Sequence, residues 1–588
     1  MSPGTTIEAE SPGTRVARAR RTAGLTQRYL AAGLGVSLWT VDQLERGRRD
    51  PARHLPTIAQ LTNRPENWLR GETELADRPE SRLGGDAERT GRPESRGVGD
   101  VGAAAVAAPP LHEAGAEVAH NGLSGSERGR GLVLAALGLL VVIRFFTEVL
   151  GVLPRALNFI DVPLLVLLVV AAAALHPDPN ERGESTRYLP AAVVFLLLCV
   201  IAAVANPSRV EIGPVLVFVY GFLGPLVLYW SVFRLWPPGS ALRLSRLLVG
   251  LLLVQLAVVA TIDLPRFIST DNPDEISGTF GENPYQLVFF LLVVAAVLAG
   301  IFTFEHRRAV ARFAPALFLA ILGVILLAQF RALLFTTALA ILALTLVLGS
   351  ARARGLVAGL VVAAAFVTTL SYTSQAFPVL NFAPVLNTFQ SDPTSYVSEK
   401  GRALSHFARL YGDEPRYIAT GTGPGTYSSR AWQTFANVNS TSESNVQRGY
   451  ASFFTGGEAY QTDVSRKYVE PQFQKGRSIQ GSKALTAPFS SYGALLAEIG
   501  LLGFLLIVGI YIRAFVQAIR MTRVARLRAP PGDPLPALLL GSAMALFVLL
   551  QLGFLENWLE VTRVTFPTWI LLAVATKEFR ARYATARI

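Results

Sequence analysis

The segment that decides the fold reads GRALSHFARLYGDEPRYIATGTGPGTYSSRAW and spans residues 401–432. It lies within a polar stretch, rich in Gly, Ser and Tyr, that runs from Ser371 to Ser491 between two apolar runs. A connection of this length without hydrophobic spans of its own is uncommon unless it carries function. We therefore expect this stretch to form the working face of the protein, and the apolar segments around it to hold it in place.

The composition outside this stretch is that of a membrane protein. Of the 588 residues, 51% are hydrophobic and 16% are charged, which is too apolar for a string of soluble domains. Apolar runs predict transmembrane helices at 131–153, 159–175, 188–204, 213–230, 247–262, 285–304, 313–329, 332–348, 356–372, 492–512, 535–555 and 564–576. The predicted fold class is all-α, a polytopic membrane protein of about 12 transmembrane helices with a large extracytoplasmic loop and a small soluble helical N-terminal domain.

Changes in composition mark the domain boundaries. Residues 72–130 are rich in Gly, Pro, Glu and Arg without periodicity, which is typical of a disordered linker. The predicted order is a disordered tail at 1–13, a helical domain at 14–71, the linker at 72–130, transmembrane helices 1–9 at 131–372, the loop at 373–490, and transmembrane helices 10–12 with a basic tail at 491–588. The single cysteine, Cys199, lies in an apolar run, so no intrachain disulfide can order the loop.

The distribution of arginines predicts the orientation in the membrane. With the N-terminus in the cytoplasm, most arginines of the short connections fall on the cytoplasmic side, for example Arg307, Arg308 and Arg312, as the positive-inside rule requires. This placement accounts for most of the net charge of +12. Nine spans then precede the long loop, so the loop faces outward from the cytoplasmic membrane and the N-terminal domain stays in the cytoplasm.

The N-terminal domain carries a helix-turn-helix pattern, GLTQRYLAAGLGVSLWTVDQLERG at 24–47. Thr26 and Ser37 are placed to cap two short helices, which a tight turn at 33–36 joins. The pattern resembles the Cro/repressor-like family, and the resemblance implies a groove-facing set of Ser37, Leu38, Trp39, Thr40 and Gln43, with Gln27 and Arg28 near phosphates. Because Leu38 and Trp39 are apolar where base readers are expected, weak DNA binding and docking of a cytosolic protein both stay open.

Two charged residues stand in apolar surroundings in the second half of the chain. Arg331 separates two apolar runs, where a charge is costly unless it meets an anion or reaches the headgroups. Glu498 lies in the first turns of an apolar helix, where a lone carboxylate is either functional or neutralised by an arginine. Arg331 is a plausible partner for Glu498.

The start of the long loop gathers polar side chains and glycines. Arg402, His406 and Arg409 share one face if their segment is helical. The glycines that follow, Gly421, Gly423 and Gly425, permit close approach of the backbone to a phosphate or a sugar.

Four pieces of the second half resemble the O-antigen ligase and polymerase superfamily of membrane glycosyltransferases. They are SGTFGENPYQLVFFL (277–291), QFRALL (329–334), the loop at 401–427 and SSYGALLAEIGLLG (490–503). The resemblance implies transfer of a glycan from an undecaprenyl-diphosphate carrier on the outer face, without a metal or other cofactor. It gives diphosphate recognition to Arg331 and Arg402, with Glu498 as an orienting group, His406 as a further catalytic candidate, and Arg409, Gly421, Gly423 and Gly425 in substrate binding.

One position departs from the family pattern. The ligase branch carries a His before the returning helix, and Phe489 stands there in this chain. His406, Glu458 or Asp463 could replace it as proton acceptor. The departure leaves polysaccharide polymerisation, transfer of another kind or an inactive relative. A function other than catalysis also stays open: the protein could be a membrane-tethered helix-turn-helix regulator or scaffold that senses the cell envelope.

Overall fold

The structure, a computed structural model, describes five stretches of the chain and two single residues. These are 11–70, 114–328, 405–436, 460–469 and 490–583, with 336 and 340, apart from gaps at 24, 26, 35, 37, 49, 63, 176–181, 207–209, 271–272, 282, 305–307 and 531. Within some helices only the backbone is described, as at Arg28, Leu38 and Trp39. The chain divides into two compact units, Met1–Leu111 and His112–Ile588.

The N-terminal unit, hereafter the head, is a small bundle of short helices around its own core. The helices are α1 (Pro12–Thr22), α2 (Gln27–Leu34), α3 (Leu38–Glu45), α4 (Leu55–Thr62) and α5 (Glu66–Arg70). Val16, Leu30, Val41 and Ile58 are fully buried and bring four of these helices together. The predicted helix-turn-helix is thus present as α2 and α3.

The second unit is built from long apolar helices. They are α6 (Ala114–Arg144), α7 (Asp161–Ala174), α8 (Arg182–Ser185), α9 (Leu189–Ala205), α10 (Ile212–Leu235), α11 (Ala241–Val258), α12 (Leu264–Thr270), α13 (Pro284–Phe304), α14 (Arg308–Leu327), α15 (405–413), α16 (Tyr417–Thr420), α17 (Arg430–Ala436), α18 (Ser491–Arg528), α19 (Leu535–Leu555) and α20 (Thr562–Tyr583). The described residues contain no β-strand, and the prediction of an all-α fold is confirmed.

Seven helices in the described part are long and apolar enough to cross a membrane. They cover Glu127–Val149, Gly183–Ala205, Ile212–Leu235, Ala241–Thr270, Pro284–Ile301, Ser491–Arg528 and Leu535–Leu555, and shorter apolar helices occur at Asp161–Ala174 and Ala316–Leu327. The predicted run at 564–576 forms most of α20. The runs at 332–348 and 356–372 lie outside the described residues apart from two positions, so the total of about 12 spans stays a prediction.

The core of this unit forms where four segments meet around one tryptophan. The ring of Trp569 on α20 contacts Tyr188, Tyr229 and Tyr511 edge-on, with ring centroids 5.3, 5.9 and 5.3 Å away. Such edge-to-face pairs contribute about 0.5–1.5 kcal/mol each beyond the burial of apolar area. The last helix is therefore an integral part of the bundle.

Buried carboxylates hold several connections by accepting hydrogen bonds from backbone amides. Glu578 on α20 is fully buried and accepts from the backbone N of Gly239 at 2.8 Å and of Ser240 at 2.6 Å, which closes the turn between α10 and α11. Asp263 accepts from the backbone N of Ser277 at 3.0 Å and of Gly278 at 2.6 Å. A buried carboxylate is tolerated when such donors replace its lost hydration.

Candidate functional site

The Gly-rich loop, residues 421–429, folds around the carboxylate of Glu498. One carboxylate oxygen accepts the backbone N–H groups of Tyr427, Ser428 and Ser429 at 3.0, 2.9 and 2.9 Å, and the other accepts that of Gly425 at 2.5 Å. Glu498 is fully buried. Four converging amides are a strong binding site for a negative charge, so the loop is fastened to α18 by a charge-assisted cluster.

A break in α18 supplies the second set of contacts. Gly500 has φ +73° and ψ −174°, a conformation essentially restricted to glycine, and it interrupts the helix. The break frees the carbonyls of Ala497 and Glu498 from the helical pattern. They accept instead the backbone N–H groups of Thr422 at 2.8 Å and Gly423 at 3.0 Å.

Close approach of the two backbones requires a glycine on the loop side as well. Gly421 has φ +66°, and a Cβ atom there would stand 2.3 Å from the carbonyl oxygen of Glu498. These glycines were predicted from the sequence to permit close approach of the backbone to a phosphate or a sugar. Among the described residues, the partner that they approach is α18 of the same chain.

The connection between α19 and α20 covers the other side of the loop. Glu560 is 6% exposed and accepts the backbone N–H of Arg430 at 2.7 Å through one carboxylate oxygen. Its other oxygen, Oε1, is buried and has no hydrogen-bond partner among the described residues. Burial, followed by the nearby charge of Glu498, raises the pKa of Glu560 well above its ordinary value.

An amide and an indole in the same connection extend the contacts to the first turn of α13. Asn557 is fully buried and donates to the carbonyl oxygen of Ser428 at 2.9 Å. Trp558 packs edge-on against Tyr285, with ring centroids 5.2 Å apart. The segment at 277–291, the Gly-rich loop and α18 therefore belong to one connected structure.

Helix α15 carries two of the predicted site residues. His406 is half-buried and Arg409 is exposed, three positions apart on this helix. The hydroxyl of Tyr411 donates to the carbonyl oxygen of Leu496 at 2.8 Å, which ties α15 to α18. Asp413 at the end of α15 pairs with Lys467 at 2.7 Å, and this hydrogen bond holds the pKa of Asp413 below its ordinary value.

The other predicted residues divide between described and undescribed positions. Arg331, Arg402, Glu458 and Phe489 lie outside the described residues, while Asp463 is exposed on the segment 460–469. Among the described residues, the carboxylate of Glu498 is bound by backbone amides of the Gly-rich loop, and its predicted pairing with Arg331 stays a prediction. Glu560 was not among the site residues predicted from the sequence.

In the head, a carboxylate joins the first three helices. Glu45 of α3 accepts from Arg20 Nε at 2.5 Å and from Gln27 Nε2 at 2.7 Å. Gln27, predicted near a phosphate, is thus engaged within the domain. Thr40, predicted to face the groove, is buried, which leaves little of it for a DNA contact, whereas Gln43 is half-exposed.

The remaining predicted DNA contacts cannot be placed on the surface of the head. The side chains of Arg28 and Trp39 and the whole of Ser37 lie outside the described residues. The described residues also contain no group of three or more His, Cys, Asp or Glu placed to hold a metal ion.

Comparison with known proteins agrees with the architecture of the head. The helix-turn-helix family HTH_3 matches residues 16–69, which include α2 and α3 and most of the small bundle. No curated protein matches the sequence. Together with the seven membrane-compatible helices, the match identifies the chain as a membrane-associated protein with a helix-turn-helix domain at its N-terminus.

Proposed function

We propose that this protein is a membrane glycan polymerase or ligase. It transfers an oligo- or polysaccharide from an undecaprenyl-diphosphate carrier on the outer face of the cytoplasmic membrane, with its N-terminus in the cytoplasm. One observation carries the proposal. Three of the four pieces that resemble the O-antigen ligase and polymerase superfamily, at 277–291, 401–427 and 490–503, are joined through Glu498, Asn557 and Trp558.

In the proposed reaction the arginines bind the carrier. The guanidinium groups of Arg331 and Arg402 make bidentate contacts to the diphosphate and stabilise the negative charge that develops on the leaving group. Arg409, three positions after His406, adds positive charge to the same helix. Binding of a diphosphate by arginines also fits a reaction that needs no metal or other cofactor.

In this scheme the loop and the proton acceptor have separate roles. Glu498 is a positioning residue in this scheme, because its carboxylate holds the Gly-rich loop and is fully enclosed. The loop glycines Gly421, Gly423 and Gly425 shape the backbone beside the substrate. His406 is the proposed proton acceptor for the attacking hydroxyl, since the position of the family His is occupied by Phe489.

Glycan transfer in membrane vesicles tests the proposal. Vesicles that contain the full-length protein are supplied with an undecaprenyl-diphosphate oligosaccharide, and the polymer or ligated product is measured by gel electrophoresis. We expect Arg331→Ala and Arg402→Ala to abolish the product while the protein stays inserted. Arg416→Ala is the matched control, since Arg416 is an exposed loop arginine paired with Glu414. Normal transfer by both test variants would contradict the proposal.

A membrane-tethered regulator is the second candidate, and the family match at residues 16–69 favours it. In this role the head binds DNA or a cytosolic protein, and the loop senses the cell envelope. Residues 1–80, which include the complete core of the head, are mixed with duplex DNA over a range of salt concentrations. DNA binding predicts an affinity that falls linearly with salt on logarithmic axes. Absence of binding at low salt would leave protein docking as the role of the head.

A deletion separates the two candidates. Removal of residues 1–125 is expected to leave glycan synthesis intact if the membrane unit is the enzyme. If the protein acts as a regulator, the deletion abolishes its regulatory effect. Arg331→Ala and Arg402→Ala then leave that effect unchanged.

A further inference from the structure

The exposed side of α18 changes from apolar to cationic partway along the helix. After the break at Gly500, its exposed positions recur every three or four residues, which places them in one continuous stripe. The stripe consists of Leu502, Leu505, Gly509, Ile512, Val516, Arg520, Arg523 and Leu527. It is apolar as far as Ile512. Beyond that point it carries Arg520 and Arg523, with the exposed Arg513 beside it, and these three arginines are hereafter the arginine face.

The change falls where the length of α18 matches the hydrocarbon of a bilayer. The predicted span at 492–512 extends about 32 Å at about 1.5 Å per residue, close to the hydrocarbon thickness of about 30 Å. The helix then continues to Arg528, for about 24 Å more. Arg513 therefore stands at the start of the headgroup region, and the other two arginines follow it within the next three turns.

Two carboxylates near this end of α18 are already paired with other arginines. Glu184 pairs with Arg187 at 3.1 Å and with Arg580 at 2.5 Å. Asp533 pairs with Arg582. The arginine face has no salt-bridge partner of its own in the part of the chain that the structure describes. Because like charges on neighbouring turns of a helix repel one another, an anion bound at this face stabilises it.

The apolar residues among these arginines favour a lipid over a soluble anion. Val516 is 38% exposed and Leu527 is 52% exposed, both on the same stripe. Apolar and cationic side chains that share one exposed helix face are typical of the boundary between acyl chains and headgroups. There the aliphatic stem of an arginine packs against apolar surface while its guanidinium group reaches the polar layer.

The guanidinium groups also suit a phosphodiester. Each can donate two parallel hydrogen bonds to the oxygens of one phosphate. Arg520 and Arg523 are three positions apart, so their Cβ atoms lie about 5–6 Å from one another and the two groups can bind the same phosphate or adjacent ones. The phosphate of phosphatidylcholine is neutralised by the ammonium group of its own headgroup, whereas phosphatidylglycerol keeps its negative charge.

We propose that the arginine face binds the phosphates of anionic phospholipids, whose acyl chains lie along the apolar part of the stripe. The face therefore selects anionic headgroups over zwitterionic ones. The inference goes beyond the proposed glycan transfer and does not depend on it, because a chain without enzymatic activity would hold these lipids equally.

Native mass spectrometry of the full-length protein tests the proposal. The purified protein is equilibrated with equal parts of phosphatidylglycerol and phosphatidylcholine that have identical acyl chains, and the retained lipids are counted. We expect the protein to retain phosphatidylglycerol in preference. The ratio of the two retained lipids should fall about fivefold for each arginine of the face that is replaced by glutamine.

Variants assign the preference to this face. The test variant combines Arg520→Gln with Arg523→Gln, two exposed positions at which the native fold is expected to persist, as circular dichroism would show. The matched control combines Arg266→Gln with Arg416→Gln, which removes the same charge from exposed arginines elsewhere. If the test variant does not fold, Arg513→Gln decides. Equal retention of the two lipids by the unmodified protein would overturn the proposal and leave a soluble anion as the occupant. An equal loss of preference in the test and control variants would overturn it as well.

Discussion

Replacing Glu498 by Gln tests whether the Gly-rich loop is held by a negative charge. The change keeps the size of the side chain but turns one carboxylate oxygen into an NH2 group. Four backbone amides donate to the two oxygens. In the variant the new NH2 group faces at least one of these amides. The smallest loss occurs if it faces only the amide of Gly425, because the other oxygen accepts three hydrogen bonds.

The size of the effect follows from three contributions. Loss of the charge weakens each of the four hydrogen bonds by about 1 kcal/mol, and the donor left without an acceptor costs about 1–3 kcal/mol. Removal of a buried charge offsets about 3 kcal/mol of this loss, because the neutral amide of Gln loses less hydration free energy on burial than the carboxylate does. We expect the free energy of local opening of the loop to fall by about 2–4 kcal/mol.

Hydrogen exchange measured by mass spectrometry on the full-length protein reads this quantity directly. Protection of the amides at 427–429 should decrease by about 30- to 700-fold, since 1.4 kcal/mol corresponds to a factor of ten. Glu414→Gln is the control, because Glu414 lies just before the Gly-rich loop in the chain and pairs with Arg416 instead of binding this amide cluster. Unchanged protection of these amides in Glu498→Gln would refute the reasoning.

Three further changes test other parts of the structure. Because burial raises the pKa of Glu560 in the folded protein above its ordinary value of about 4.5, stability should fall as the pH rises above that value, and Glu560→Gln should reduce this loss. Thermal unfolding at about pH 5 and about pH 8 checks this, and an identical pH dependence in both proteins would contradict it. Gly500→Ala is expected to lower the unfolding temperature through a backbone strain of about 3 kcal/mol. Gly509→Ala, in open space on the same helix, should raise the unfolding temperature slightly. Equal effects of the two substitutions would exclude strain at Gly500. In residues 1–80, Glu45→Gln should lower the free energy of unfolding by about 2 kcal/mol. Asp42→Asn at an exposed ion pair should change it by less than about 0.5 kcal/mol, as circular dichroism would show, and similar losses in the two variants would argue against the Glu45 network.

The sequence predicted the helical architecture because each element carries a local signal. Apolar runs of sufficient length mark the membrane helices, and the capping residues Thr26 and Ser37 with the turn at 33–36 mark the helix-turn-helix. These signals depend on residues close together in the chain. The all-α fold and the identity of the head were therefore predictable.

The candidate site was predictable only in part, because its contacts are between distant segments. Glu498 was recognisable in the sequence as a carboxylate in an apolar helix. Its partners are backbone amides about 70 residues away, and because every residue type except proline has such an amide, the sequence does not identify them. The burial of Glu560 and Arg563 depends on the packing of α20 against other helices. Neither residue differs in sequence from an ordinary charge at the end of a span.

The hydrogen bonds between the Gly-rich loop and α18 have a consequence for the order in which the chain folds during its synthesis. The amides of residues 425–429 are synthesised well before Glu498, so they have no acceptor until the ribosome has made the returning helix. A chain truncated before Glu498 should therefore insert its earlier helices yet leave this loop open to protease. Completion of the loop, and of any activity that depends on it, is postponed until the following membrane helix has been inserted.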